Sequence, residues 1–122
     1  MRKALVLDDM KVTRLTVSTY LRVCGFDVDT VENGLEALKK LSSSSDKYDL
    51  IFSDIEMPNM NGIEFLKRIK TSIHHRNIPV VMLTSIDDKD TIDKVKKLGA
   101  AYHMTKPYNQ SKMAEALKSA GF

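Results

Sequence analysis

Asp8, Asp9, Asp54, Thr84 and Lys106 are the residues whose types and placement could do chemistry, because each stands just past a short apolar run. Leu5-Val6-Leu7 leads into the first two acids, Leu50-Ile51-Phe52-Ser53 into Asp54, Pro79-Val80-Val81-Met82-Leu83 into Thr84, and the run ending at Met104 into Lys106. If these runs are strands of one parallel sheet, three carboxylates, a hydroxyl and an ammonium gather at one edge. Carboxylates crowded together resist ionisation unless a cation joins them. A hard, octahedral, oxygen-seeking cation answers that need, and Mg²⁺ is the commonest such partner in phosphoryl transfer. Asp54 can then act as a carboxylate nucleophile that forms an acyl phosphate. Lys106, the Thr84 hydroxyl and Mg²⁺ would neutralise charge on the transferring oxygens. Met57-Pro58 and Asn61-Gly62 shape the loop after Asp54 and allow the Glu56 carbonyl to face the metal.

The elements that must position these groups follow from periodicity. Thr13, Val17, Tyr20, Leu21 and Cys24 recur at helical spacing from Lys11 onward, with Gly25 as a stop. Phe26, Val28 and Thr30 alternate with acids, as in a half-exposed edge strand. Asn33-Gly34 opens a helix with Ala37, Leu38 and Leu41 on one face, and Ser42-Ser43-Ser44-Ser45 reads as a polar loop. A helix from Gly62 to Ile73 turns Phe65, Leu66 and Ile69 inward; Ile92, Val95 and Leu98 mark another, closed by Gly99. Ala101 to Met104 is the fifth strand, and Met113, Ala116, Leu117 and Ala120 stripe the last helix. Five strand–helix units predict an α/β, flavodoxin-like, doubly wound (βα)5 fold with helices on both faces of a parallel sheet. Right-handed crossovers leave few arrangements, of which 2-1-3-4-5 is expected. That order is carried over from known doubly wound proteins.

Composition sets the frame. A chain of 122 residues fits one domain, taken as residues 1–122. Hydrophobic residues at 43% and charged residues at 29% suit an ordinary globular protein. No apolar run approaches the roughly 20 residues of a membrane span. Cys24 stands alone, which excludes an internal disulfide and suits a reducing, cytoplasmic compartment. The net charge is +3, and setting aside Asp8, Asp9 and Asp54 leaves 19 basic against 13 acidic side chains. That excess of +6 suits an acidic partner, although basic residues scattered along helix faces read first as a solvated surface. It does not indicate nucleic acid, since no recognition module accompanies it.

Four segments together carry a resemblance: Leu7-Asp8-Asp9, Ser53-Asp54 through Met57-Pro58-Asn59-Met60-Asn61-Gly62, Leu83-Thr84-Ser85, and Lys106-Pro107. They stand 30 residues apart from Asp54 to Thr84 and 22 from Thr84 to Lys106. In order and spacing the chain resembles bacterial response-regulator receiver domains, and closely the stand-alone, CheY-like chemotaxis kind. The resemblance implies a phosphorelay protein of a two-component system rather than an enzyme, assisting its own phosphorylation and dephosphorylation. Asp54 would be the phosphoacceptor, supplied by a CheA-like histidine kinase. Asp9, Asp54 and the Glu56 backbone carbonyl would bind Mg²⁺ directly, with Asp8 acting through water. Thr84 would swing to the phosphoryl group and Lys106 would pair with it. The face of the fourth helix, fifth strand and fifth helix would then engage a target such as a flagellar motor switch. The protein would be a monomer bound to neither nucleic acid nor membrane. Glu56 and Ile86 would tune hydrolysis. One position departs from the family: His103 stands where an aromatic switch residue is usual. Tyr102 beside it points to the opposite face. His103 is therefore expected to turn inward as a substitute ring.

Other readings of the same residues are blander. Asp8 and Asp9 could cap a helix, Thr84-Ser85 could do likewise, and Lys106 could be an ordinary surface lysine. His74-His75 cannot ligate together on one helix and reads as solvated. Cys24 reads as a small core residue, and the methionines as core filler, with Met57 and Met60 near a partner surface. Two functional alternatives compete: a receiver module of another phosphorelay or larger regulator, and an aspartate-nucleophile phosphatase with Glu56 as its second acid. A flavodoxin-like flavin carrier would need a phosphate-cradling glycine loop, which the sequence lacks.

Overall fold

In a computed structural model the strand Leu50–Asp54 is buried along its whole length, and so is Val80–Thr84. Runs with no polar face survive only where helices cover both sides. Among the described residues the elements run β1 (Lys3–Leu7), α1 (Lys11–Val23), β2 (Asp27–Val31), α2 (Gly34–Ser43), β3 (Leu50–Asp54), α3 (Gly62–Thr71), β4 (Val80–Thr84), α4 (Lys89–Lys97), β5 (Tyr102–Thr105) and α5 (Gln110–Ser119), and the helices supply that cover. The structure describes all residues except 44–46, 58–59, 86–87 and 107. Pro58, Asn59, Ile86 and Pro107 of the sequence motifs lie outside that set. The sheet is parallel, in the order β2-β1-β3-β4-β5, and has the flavodoxin-like form expected.

Two apolar cores flank the sheet. Leu5, Leu7, Ile51 and Met82 face Ala37 and Leu41 of α2, Phe65, Leu66 and Ile69 of α3, and Val95 of α4. Val6, Phe52, Val81 and Met104 face Val17 and Leu21 of α1 and Met113, Ala116 and Leu117 of α5. Each large side chain so buried contributes about 1.5–3 kcal/mol. Both layers are therefore anchored by the strands that end in the acids.

Register then fixes the edge. Leu7 pairs with Ser53 and Asp54 with Leu83, so Asp8 follows β1 beside Asp54, with Thr84 one strand further. Thr84 pairs with Thr105, and the Lys106 N–H donates to the Thr84 carbonyl at 2.7 Å. The strand order reverses between β1 and β3, the place where doubly wound folds open a crevice.

Gly62 holds α3 against this edge. Its N–H donates to the Ile55 carbonyl at 2.8 Å, and a Cβ there would lie 2.1 Å from the Asp54 carbonyl oxygen. We expect Gly62→Ala to cost roughly 2–3 kcal/mol, because backbone and not a flexible side chain must yield. Chemical denaturation would measure it, and an unchanged midpoint would contradict the packing described.

Several local expectations need correction. Cys24 is exposed, not core, since it caps α1 on the solvent side before Gly25 turns left-handed at φ 94°. Thr30 is exposed and Val31 is the buried residue, because Val31 faces the α2 layer whereas Val28 faces α1. Ser42 and Ser43 belong to α2 and not to a loop. α3 ends at Thr71, leaving Ile73 exposed, and β5 runs from Tyr102 to Thr105. His74 and His75 lie in the turn after α3, where Ser72 Oγ contacts His75 Nδ1 at 3.1 Å. Met57 and Met60 are buried in the α2–α3 core, not placed on a partner surface.

Candidate functional site

The strand ends deliver the groups as one constellation. Asp8 is fully buried; its Oδ1 accepts the Met10 N–H at 2.9 Å, and its Oδ2 lies 3.2 Å from Lys106 Nζ. Asp54 is 2% exposed, with Oδ2 3.5 Å from the same ammonium and Oδ1 accepting the Glu56 N–H at 3.3 Å. Asp9 is exposed at the rim. One oxygen from each of Asp8, Asp9 and Asp54 falls within 4.8 Å of the others. The capping readings fail here: Met10 and Asp88 stand at the N-caps of α1 and α4.

One ammonium cannot balance this site. Burial pushes the Asp54 carboxyl up to about 7, reinforced by hydrogen bonding to Glu56 and by the charge of Asp8, against the pull of Lys106. Burial likewise raises Asp8, more than the Met10 amide and Lys106 lower it. For Lys106 burial works downward, but Asp54 and Asp8 outweigh it and hold the ammonium above its ordinary range. Three clustered carboxylates, all hard oxygen donors and short of positive charge, fit Mg²⁺.

Glu56 has a role that its backbone alone did not suggest. Its carboxylate accepts the Thr84 hydroxyl at 2.8 Å and the Ser85 hydroxyl at 3.3 Å. Burial would raise this group, but hydrogen bonds from Asp54, Thr84 and Ser85 hold it below the usual range. No pattern in the sequence marks the contact, which joins residues 28 positions apart.

His103 is half-buried and pairs with Met82, on the sheet face that also carries Thr84. Tyr102 packs on the opposite face and donates to Glu115 at 2.6 Å, so the two neighbours are divided as the strand geometry requires.

Tyr108 was not singled out by sequence. Its hydroxyl is buried without a hydrogen-bond partner among the described residues. Burial pushes it well above the usual phenol range, with Asp8 and Asp54 adding to the rise. Removing an unsatisfied buried hydroxyl relieves its desolvation. Tyr108→Phe should therefore stabilise the metal-free protein by about 1 kcal/mol, read by denaturation. A loss of that size would show that the hydroxyl is satisfied.

Residues 4–118 match the family model described as the response regulator receiver domain. The chain belongs to this receiver family. The receiver is similar to the chemotaxis response regulator CheY4 of Vibrio cholerae, with a TM-score of 0.88, 32% identity and 98% of both chains covered. It is 33% identical to Protein PilG of Pseudomonas aeruginosa over 96% of this chain and 85% of that one. It is 44% identical to the transcriptional regulatory protein CpxR homolog of Haemophilus influenzae over 94% of this chain. The receiver spans 48% of that relative's length. No helix among the described residues is long and apolar enough to cross a membrane.

Proposed function

We propose that this receiver takes a phosphoryl group onto Asp54 from the phosphohistidine of a histidine kinase of the CheA-like kind. The observation that carries this reading is the buried Asp54 carboxylate, with Lys106 Nζ 3.5 Å away and the oxygens of Asp8 and Asp9 beside it. In the step, an Asp54 oxygen forms a bond to phosphorus while the kinase N–P bond breaks, and the departing imidazole keeps the electron pair and gains a proton. Bound Mg²⁺ would draw off negative charge and keep Asp54 ionised. Asp9, Asp54 and the Glu56 carbonyl would hold it, with Asp8 acting through water. Lys106 pairs with one phosphoryl oxygen, and the Thr84 hydroxyl donates to another. His103, sharing a face with Thr84, turns inward as that hydroxyl moves. The α4–β5–α5 face then changes its affinity for a target protein.

The protein is not an enzyme in this reading, because each acceptor is labelled once per cycle. A role in chemotaxis is supported by the likeness to CheY4, a chemotaxis response regulator; in that role the protein would be a cytoplasmic monomer that contacts a target such as a flagellar motor switch. The same chemistry inside a larger regulator is the second reading, favoured by the CpxR homolog, which is about twice as long. Incubation with acetyl phosphate and Mg²⁺ should add one phosphoryl group by intact mass, and chelation should prevent it. Many turnovers of a phosphate ester would indicate a phosphatase instead.

A further inference from the structure

A single oxygen of Glu56 gathers both hydroxyls at the end of β4, Thr84 at 2.8 Å and Ser85 at 3.3 Å. Thr84 is 1% exposed, so its hydroxyl meets this anion largely out of water. Glu56 is itself tied to the acceptor through its N–H on Asp54 Oδ1 at 3.3 Å. A hydroxyl has one proton to give, and it gives it more strongly to an ionised acceptor. Thr84 cannot donate to Glu56 and to a phosphoryl oxygen at once. We propose that the Glu56 carboxylate is a positioning residue that holds the Thr84 hydroxyl away from the acceptor, so that a phosphoryl group on Asp54 must win this donor from Glu56. The inference rests on the phosphoacceptor reading above and adds a competitor to it. Glu56 opposes the phosphorylated state through Thr84, beyond any repulsion between two anions.

A double-mutant cycle separates these effects. Beryllofluoride with Mg²⁺ serves as the phosphoryl probe, and its affinity is measured in wild type, Glu56→Gln, Thr84→Val and the double variant. Phosphorylation rates with acetyl phosphate are followed in parallel by intact mass. Glu56→Gln should tighten beryllofluoride binding roughly tenfold, since a charged hydrogen bond becomes a neutral one. In the Thr84→Val background the gain should shrink below about twofold. Equal gains in both backgrounds, or none in either, would overturn the proposal. Should Thr84→Val fail to fold, the Thr84 methyl resonance of the probe-free protein replaces the cycle: it must shift in Glu56→Gln, and an unmoved resonance overturns the proposal. A wild type that neither binds beryllofluoride nor gains mass would instead remove the phosphoacceptor reading itself.

Discussion

The Asp54→Asn variant should gain no phosphoryl group from acetyl phosphate and Mg²⁺, a loss of at least roughly 100-fold against the wild type. Two buried carboxylates stand at this edge, and their surroundings decide which one reacts. Asp8 has both oxygens engaged at short range, 2.9 Å to the Met10 N–H and 3.2 Å to Lys106. Asp54 is held more loosely, at 3.3 and 3.5 Å, and keeps lone pairs for an incoming phosphorus. An asparagine there has almost the same shape and no anionic oxygen, so the fold should survive while the reaction does not. Undiminished mass gain in Asp54→Asn would move the acceptor elsewhere.

Lys106→Met should destabilise the metal-free protein by roughly 3 kcal/mol near pH 8, since it strands two buried carboxylates without their cation. Near pH 5 the loss should fall to about 1 kcal/mol. The difference comes from proton linkage. Asp54 sits at about 7 in the folded protein against an ordinary 3.8. Between those values the folded form keeps a proton that the unfolded chain has released, so metal-free stability declines as pH rises through that window. Lys106 is raised, so its contribution is fully present below its ordinary 10.5 and is lost only at higher pH. Across pH 5 to 8 the lysine stays charged and the Asp54 carboxyl changes. Removing the lysine matters little while Asp54 is protonated and much once Asp54 ionises. Added Mg²⁺ should recover part of the loss near pH 8. Denaturation in chelator at both pH values reads this directly, and equal losses would contradict the electrostatics.

Strand ends were the legible part of this molecule. The apolar runs of β1, β3 and β4 became buried strands and that of β5 a half-buried one, and parallel order then brought Asp8, Asp54, Thr84 and Lys106 to one edge. Surface placement was less legible, for physical reasons. Cys24 has the composition of a core residue, yet the left-handed turn at Gly25 swings that end of α1 into water. A period-two pattern puts Thr30 on the face of Val28 and Val31 on the other, and only the arrival of α2 on that other face makes Val31 the buried one. The Glu56–Thr84 contact was invisible because it depends on a loop bringing together residues distant in sequence. Tyr108 escaped notice because its ring reads as ordinary packing, and its hydroxyl becomes unusual only when buried near two acids.

Borohydride trapping reads which atom becomes phosphorylated. Reduction of an acyl phosphate converts its aspartate to homoserine, which peptide mass mapping locates. Treated with acetyl phosphate and Mg²⁺ and then reduced, the wild-type chain should carry homoserine at position 54 alone. Homoserine at Asp8 or Asp9, or a stable phosphate on Thr84, Ser85 or His103, would contradict the account.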